Sequence, residues 1–182
     1  MALKATIYKA ELQVSDTDRN YYQSHSLTLA QHPSETAERL MVRLAVYALH
    51  AEPTLEFGKG LSEDEEPALW QKSLTGEIEL WIEIGQPDEK RIRKACGRAR
   101  RVLIYCYQNR SAAIWWQQLQ KQLERFDNLG VYSLPDAAVA DLGKLIQRHM
   151  QLNCTIQDGQ LWLAAGEQSV QLEPELWKAS SA

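Results

Sequence analysis

Alternating apolar and polar residues predict β-hairpins at both ends of the chain. Residues 4–14 and 21–29 are strand-like, and the turn-forming residues 15–18 separate them, so we expect the chain to open with a hairpin. Near the other end, apolar segments flank the pair at 158–159, Asp-Gly, which is a strong signal for a two-residue hairpin turn. A further short strand is expected around Val170.

Between the hairpins, strand-like and helical patterns succeed each other. Residues 77–86 alternate with the period of a strand, and residues 101–107 form a continuous apolar run, typical of a strand buried on both faces. Another short strand is expected over 129–134. Helical spacing predicts helices over residues 34–50 with Ser34 as the N-cap, from Pro87 onward, from about residue 109 with Trp115 and Trp116 facing inward, and from Pro135 to Met150. This order predicts an α/β fold with a mixed central β-sheet flanked by helices.

The strand over 77–86 has two faces of very different chemistry. One face consists of Ile78, Leu80, Ile82 and Ile84, and the other of Glu77, Glu79, Trp81, Glu83 and Gly85. Acidic residues and glycine are depleted in strands, and glycine there often marks a bulge or a close approach of the backbone. The second face is therefore either a solvated acidic surface or part of a site.

A strongly basic helix follows this strand. Arg91, Lys94 and Arg98 line one flank of the helix, beside a narrow apolar stripe. Such a flank is suited to a phosphate backbone, and it is equally suited to solvent, where it balances the acids of the preceding strand.

A second candidate acid lies in the first predicted helix, which is apolar on nearly every side. Glu38 aligns with the inner positions of that helix, and a carboxylate on a buried stripe needs a partner. Arg39 and Arg43 are the nearest cations along the chain. Glu38 is therefore either paired with an arginine or solvated at the end of the stripe, or it belongs to a functional site.

Composition narrows the class of protein. The chain has 182 residues, a net charge of −4, 45% hydrophobic and 24% charged residues, which is ordinary for a globular protein and argues against a bulk electrostatic binder of nucleic acid. Three widely spaced cysteines in apolar surroundings read as reduced core thiols, and we find no zinc-binding spacing. No secretory signal and no apolar run long enough to span a membrane is present, so we expect a cytoplasmic protein.

Five segments carry a resemblance to a known family. They are residues 1–10, 32–36, 81–85, 87–89 and 155–159. On these segments the chain resembles the YaeQ family of bacterial proteins over essentially its full length, as one domain covering residues 1–182. The fold of that family resembles the PD-(D/E)XK nuclease superfamily, which implies a restriction-endonuclease-like core with N-terminal and C-terminal hairpins. The resemblance also implies a Mg²⁺-dependent phosphodiesterase site, with acids on two adjacent strands and often an acid on the first helix.

The superfamily motif transfers to this sequence only in part. Glu83 fits the acid of the third core strand, but Gly85 stands where the motif has a lysine. Pro67 fits the signature proline, yet Ala68 follows it where an acid is expected, so Glu66 would have to supply that carboxylate.

The remaining candidates complete this hypothetical site. The resemblance places Glu38 at the helix acid, and Glu79 is a further possible metal ligand on the face of Glu83. Lys94 or Arg91 would replace the missing lysine from the neighbouring helix. One or two carboxylates with substrate phosphate satisfy Mg²⁺, for which Mn²⁺ is the usual substitute in experiments, and the bound ion would activate water and stabilise the charged transition state.

Two functions from different classes follow. The first is a Mg²⁺-dependent nuclease with a variant site, acting on nucleic acid. The second is a catalytically inactive binding or interaction protein that retains the scaffold, with Trp115 and Trp116 as its partner surface if they are not both in the core. A nucleic-acid-binding module without cleavage is a third reading, against which the net acidity weighs.

Overall fold

The structure, a computed structural model, describes residues 4–59 and 65–181. Within these residues the strands are β1 (Thr6–Asp16), β2 (Tyr21–Gln31), β3 (Leu55–Phe57), β4 (Leu69–Lys72), β5 (Ile78–Ile84), β6 (Ala99–Cys106), β7 (Leu129–Ser133), β8 (His149–Gln157), β9 (Gln160–Ala165), β10 (Gln168–Leu172) and β11 (Glu175–Lys178). The helices are α1 (Ala37–Leu49), α2 (Glu89–Arg98), α3 (Asn109–Leu123) and α4 (Asp136–Lys144). No helix in this part of the chain is both long and apolar enough to cross a membrane.

The two predicted hairpins are confirmed, and together they form a sheet of their own. Its strand order is β10-β9-β8-β1-β2, with β1 and β8 parallel at its centre. The turn between β8 and β9 uses Asp158 and Gly159, both at positive φ, as a tight hairpin turn requires. The Asp18 carboxylate in the β1–β2 turn accepts hydrogen bonds from both of their amides, so the two hairpin turns are tied together.

The second sheet has the strand order β11-β7-β6-β5-β4-β3. Strands β3, β4 and β5 form an antiparallel meander, and β5, β6 and β7 run parallel through the crossover helices α2 and α3. The sequence predicts one mixed central sheet, whereas the structure has two mixed sheets. Strand alternation did not reveal that β1 pairs with β8 across more than a hundred residues instead of joining the other sheet.

Two hydrophobic cores define the layers of the molecule. The larger core joins one face of each sheet to α1 and α4, which lie between the sheets. The smaller core joins the other face of the second sheet to α2 and α3. Nine consecutive residues of α1 are buried, as its nearly continuous apolar sequence predicts for a helix enclosed between layers.

Three predicted helix boundaries are wrong. Thr36, not Ser34, caps α1, because its side chain accepts a hydrogen bond from the Arg39 amide. Asp88 caps α2 in the same way, so Pro87 precedes the helix. Helix α4 ends at Lys144, and Met150 is buried in β8, where the side chains alternate between exposed and buried positions.

The three cysteines are unpaired, as predicted. Cys106 and Cys154 are buried and Cys96 is half-buried. Burial raises the pKa of the Cys106 thiol to about 11, so this cysteine is an inert part of the core.

Candidate functional site

Strand β5 carries Glu83 into the smaller core. Trp81 and Glu83 point toward the layer of α2 and α3, and only 2% and 7% of their surfaces are exposed. The sequence allowed a solvated acidic face along this strand. That description holds for Glu77, which is exposed, but it fails for Glu83, because α2 covers the carboxyl end of β5.

Two donors hold the Glu83 carboxylate. Its Oε1 accepts from Nε of Arg91 at 2.8 Å and from the indole Nε1 of Trp81 at 2.8 Å. Burial raises the pKa of Glu83, while Arg91 and the Trp81 hydrogen bond pull it in the opposite direction. The carboxylate is thus a paired, buried anion and not an open ligand.

Ala68 lies next to this strand but on the other face of the sheet. The pairing of β4 with β5 ends at Leu69 and Ile82, and the Ala68 amide donates to the Ile82 carbonyl at 3.1 Å, so the register is not continued to a pair between Ala68 and Glu83. Ala68 is buried in the larger core with Leu69 and Ile82, whereas Glu83 faces the smaller core. Position 68, where the motif has its second acid, therefore carries a methyl group and does not flank Glu83.

Gly85 closes the strand in a conformation that excludes the missing lysine. Its φ is +111°, a region that side-chain-bearing residues rarely adopt, and its amide donates to the Tyr105 carbonyl at 2.9 Å. A lysine at this position would strain the backbone.

The other predicted residues of the strand and loop are engaged elsewhere. The Glu66 carboxylate accepts a hydrogen bond from the Lys59 amide at 2.8 Å. Arg91 contacts Glu66 only through the backbone, where its Nη2 donates to the Glu66 carbonyl at 2.9 Å. Glu79 pairs with Arg100 at 3.3 Å. The predicted cation Lys94 binds Glu65 at 2.6 Å.

The oxygen ligands available around Glu83 do not fit a Mg²⁺ centre. Mg²⁺ requires oxygen ligands that converge in near-octahedral geometry, and here a single buried carboxylate is already neutralised by a guanidinium. Across residues 4–59 and 65–181, no group of three or more histidine, cysteine, aspartate or glutamate side chains has an arrangement that could hold a metal ion.

Glu38 lies apart from this cluster, on the other face of the second sheet. It lines a cavity of about 640 Å³ at the carboxyl ends of β6 and β7. Its side chain packs on Gly143 of α4, where an added Cβ would lie 2.9 Å from Glu38 Cγ. Neither arginine that the sequence offered as its partner binds it.

Arg39 and Arg43 bind Glu35 instead, in a buried ion network that sequence reasoning missed. Arg43 Nη2 lies 2.8 Å from Glu35 Oε1, and both side chains are 2% exposed. Arg43 also donates to the Ala30 carbonyl at the end of β2. The spacing of Glu35, Arg39 and Arg43 at i, i+4 and i+8 was the available signal, since these positions share one side of the chain leading into α1.

The two tryptophans of α3 are half-buried and face the second sheet. Trp115 donates its indole N–H to the Pro87 carbonyl at 2.7 Å, and Trp116 stacks on Trp177 with ring centroids 5.9 Å apart. They serve the packing of α3 and do not form an open partner surface.

The architecture is that of a mixed α/β protein, with two mixed sheets and, in the described residues, four helices. The profile of the YaeQ protein family matches residues 1–174, and the chain belongs to that family. It is similar to the uncharacterized protein YaeQ of Salmonella typhi and to that of Escherichia coli (strain K12). Each is 46% identical over 181 residues, which is 100% of both chains.

Two solved structures resemble this one closely. The crystal structure of YaeQ protein from Xanthomonas axonopodis pv. citri matches with a TM-score of 0.93 at 51% identity, covering 96% of this chain and 99% of that one. The crystal structure of YaeQ protein from Pseudomonas syringae matches with a TM-score of 0.93 at 32% identity, covering 98% of each chain. The fold is therefore the one that YaeQ proteins share.

Proposed function

We propose that this chain is a non-catalytic binding protein, built on a PD-(D/E)XK-like core that has lost nuclease chemistry. The observation that carries the proposal is the state of Glu83, whose carboxylate is occupied by Arg91 and Trp81. Ala68, which stands where the motif has a second acid, is buried in the larger core on the other face of the sheet. Catalysis through a divalent ion requires open oxygen ligands, and the described residues offer none at this position.

The topology supports the core assignment. The meander β3-β4-β5 leads through α2 to the parallel strand β6, so Glu83 lies on the third strand of the unit and Pro67 precedes the second. The N-terminal and C-terminal hairpins pack around this unit as a separate sheet. We propose the cytoplasm as the protein's location, in line with the sequence.

A second candidate function is a Mg²⁺-dependent nuclease acting on DNA or RNA. The strand order favours it, because Pro67 precedes β4 and β4 pairs directly with β5, which carries Glu83. It would require Arg91 to release Glu83 and the Glu66 carboxylate to leave the Lys59 amide. Glu38 and Glu79 would have to approach as well, and the cation would be Lys94 or Arg91.

Metal titration combined with a cleavage assay separates the two functions. We expect purified protein to give no binding heat with Mg²⁺ or Mn²⁺ and no metal-dependent cleavage of single- or double-stranded DNA and RNA. Glu83→Ala should leave that result unchanged, and Glu77→Ala, at an exposed position just before the same strand, is its matched control. Metal-dependent cleavage that Glu83→Ala abolishes and Glu77→Ala preserves would establish the nuclease and refute our proposal.

A further inference from the structure

The cavity that contains Glu38 lies where the fold favours a ligand. Strands β6 and β7 are parallel neighbours, but α3 leaves β6 toward the smaller core and α4 leaves β7 toward the larger one. Connections that depart to opposite faces open a crevice outside the carboxyl ends of the strands, and ligands of open α/β sheets bind in such crevices.

The size and lining of the cavity suit a small molecule. Its volume of about 640 Å³ lies within the range of about 300 to 1,000 Å³ typical of ligand sites. Ile114 of α3, which is 53% exposed, lines the cavity together with Val139 and Ala140 of α4, and these residues give it an apolar wall. An exposed isoleucine beside a cavity is accounted for if a ligand covers it.

Most of the polar groups around the cavity are already engaged. Asp136 and Asn109 exchange two hydrogen bonds between side chain and backbone, which fixes the starts of α3 and α4. The Ser111 hydroxyl donates to the Gln108 carbonyl and accepts from Gln86. Thr36 receives the Arg39 amide as the cap of α1. These groups shape the site and are not available to fix a ligand.

Two opposite charges remain. Within the described residues, neither the half-buried Glu38 carboxylate nor the exposed Arg110 guanidinium makes a hydrogen bond or ion pair with another side chain. Both line the same cavity, on α1 and α3 respectively. A ligand with both a hydrogen-bond donor and an anionic group would satisfy both charges at once.

The backbone at the cavity wall is strained. Gln108, between β6 and α3, has φ +62° without being glycine. Left-handed conformations at such residues cost free energy and concentrate at ligand sites, where the surrounding structure maintains them. Here the conformation turns the chain so that Tyr107 and Arg110 both border the cavity.

We infer that this cavity binds a small molecule with an apolar body, an ammonium or other N–H donor for Glu38, and an anionic group for Arg110. Two ligand sources share that chemistry: free amino acids with apolar side chains, and nucleoside monophosphates. The inference rests on the proposed binding function and gives it a site and a ligand class.

Calorimetric titration of the full chain with L-leucine, L-phenylalanine, adenosine monophosphate and uridine monophosphate tests the inference and distinguishes the two sources. We expect saturable binding within one of the two pairs. Glu38→Gln and Arg110→Gln should each weaken it about tenfold, since each removes one charge-assisted contact. Ala140→Trp, at an exposed cavity position, should abolish binding by filling the space while the melting temperature stays near that of the parent.

Glu77→Gln and Arg100→Gln are matched controls, because they remove one acid and one base at the other end of the second sheet. They should leave the affinity unchanged. Absence of saturable binding to all four probes, or binding that survives Ala140→Trp, would refute the cavity assignment while leaving the loss of nuclease chemistry intact. Glu83-dependent cleavage would instead refute the proposed function, whatever the cavity binds.

Discussion

The guanidinium of Arg91 lies 2.8 Å from the carboxylate of Glu83, so this ion pair occupies the buried carboxylate of the candidate site. The Glu83 side chain is 9% exposed and that of Arg91 is 28% exposed, so the pair joins a buried strand to the edge of α2. Removing one partner of such a pair costs far more than the pair itself contributes, because the other charge stays buried.

We therefore predict that Arg91→Met lowers the free energy of unfolding by about 2 kcal/mol at pH 7, below the full cost of a completely buried pair because Arg91 is partly solvated. Urea unfolding measures the change. Arg93→Met, on the same helix, removes an exposed partner 3.6 Å from Glu89 and should cost less than about 0.5 kcal/mol. Adding Glu83→Gln to Arg91→Met should recover most of the loss. Equal losses of unfolding free energy for Arg91→Met and Arg93→Met would show that the Glu83 pair is no stronger than a surface contact.

The Glu35–Arg43 pair is more deeply buried and should be more sensitive. Arg43→Met leaves the Glu35 carboxylate with Arg39 alone and the Ala30 carbonyl without its donor, so we expect a loss of about 3 kcal/mol. The exposed pair of Lys144 and Asp141 provides the control, and Lys144→Met should be nearly neutral. Thermal and urea unfolding measure both variants, and an Arg43→Met protein as stable as the parent would show that the network is dispensable.

Local patterns predicted the elements of this fold better than its assembly. The Asp-Gly turn at 158–159 is fixed by the backbone conformations of two neighbouring residues, and the sequence therefore predicted the hairpin correctly. The end of α4 was predicted too late because the apolar residues beyond it also fit helical spacing, namely Leu145, Ile146 and Met150. Residues 149–157 form a strand in the structure because they pair with β1 and β9, and the local sequence does not show that pairing.

The candidate site shows the same difference between what local sequence patterns predict and what depends on the assembled fold. Alternation placed Glu83 on the correct face of β5, yet whether that face meets solvent or α2 depends on a crossover that no local pattern encodes. Glu35 precedes Arg39 and Arg43 by four and eight residues and binds both, whereas Glu38 precedes them by one and five residues and binds neither. The cavity arises where β6, β7 and α1 meet, so its residues carry no shared motif.

Gly58 is predicted to be the most sensitive glycine near the candidate site. A Cβ at this position would lie 1.9 Å from the Pro67 carbonyl oxygen, and the Gly58 amide already donates to the Ala68 carbonyl at 2.9 Å. Gly58→Ala must therefore separate β3 from the start of β4, with an expected loss of at least about 2 kcal/mol in the free energy of unfolding. Gly97→Ala, with open space around it in α2, should stabilise by about 0.5 kcal/mol. Unfolding curves of the two variants that shift in the same direction would contradict this account.

His50 should make the protein sensitive to mild acid. Its Nε2 lies 2.6 Å from the hydroxyl of buried Tyr105. Burial, with nearby Arg101 and Arg19, lowers the pKa of His50 from 6.5 to about 3. Between these values the unfolded chain binds a proton that the folded protein does not, so the free energy of unfolding decreases as the pH falls through this window and is fully retained above about pH 6.5.

We expect His50 alone to reduce the free energy of unfolding by roughly 3 kcal/mol between pH 7 and pH 4. His50→Gln keeps a hydrogen-bonding side chain next to Tyr105 without a titrating group, so its stability should vary less with pH by about that amount. His149→Gln, at an exposed position of β8, should follow the parent. Urea unfolding at half-unit pH intervals measures all three proteins. Parallel curves for the parent and His50→Gln would mean that the imidazole gains its proton without disturbing the fold, and that the contact with Tyr105 survives protonation.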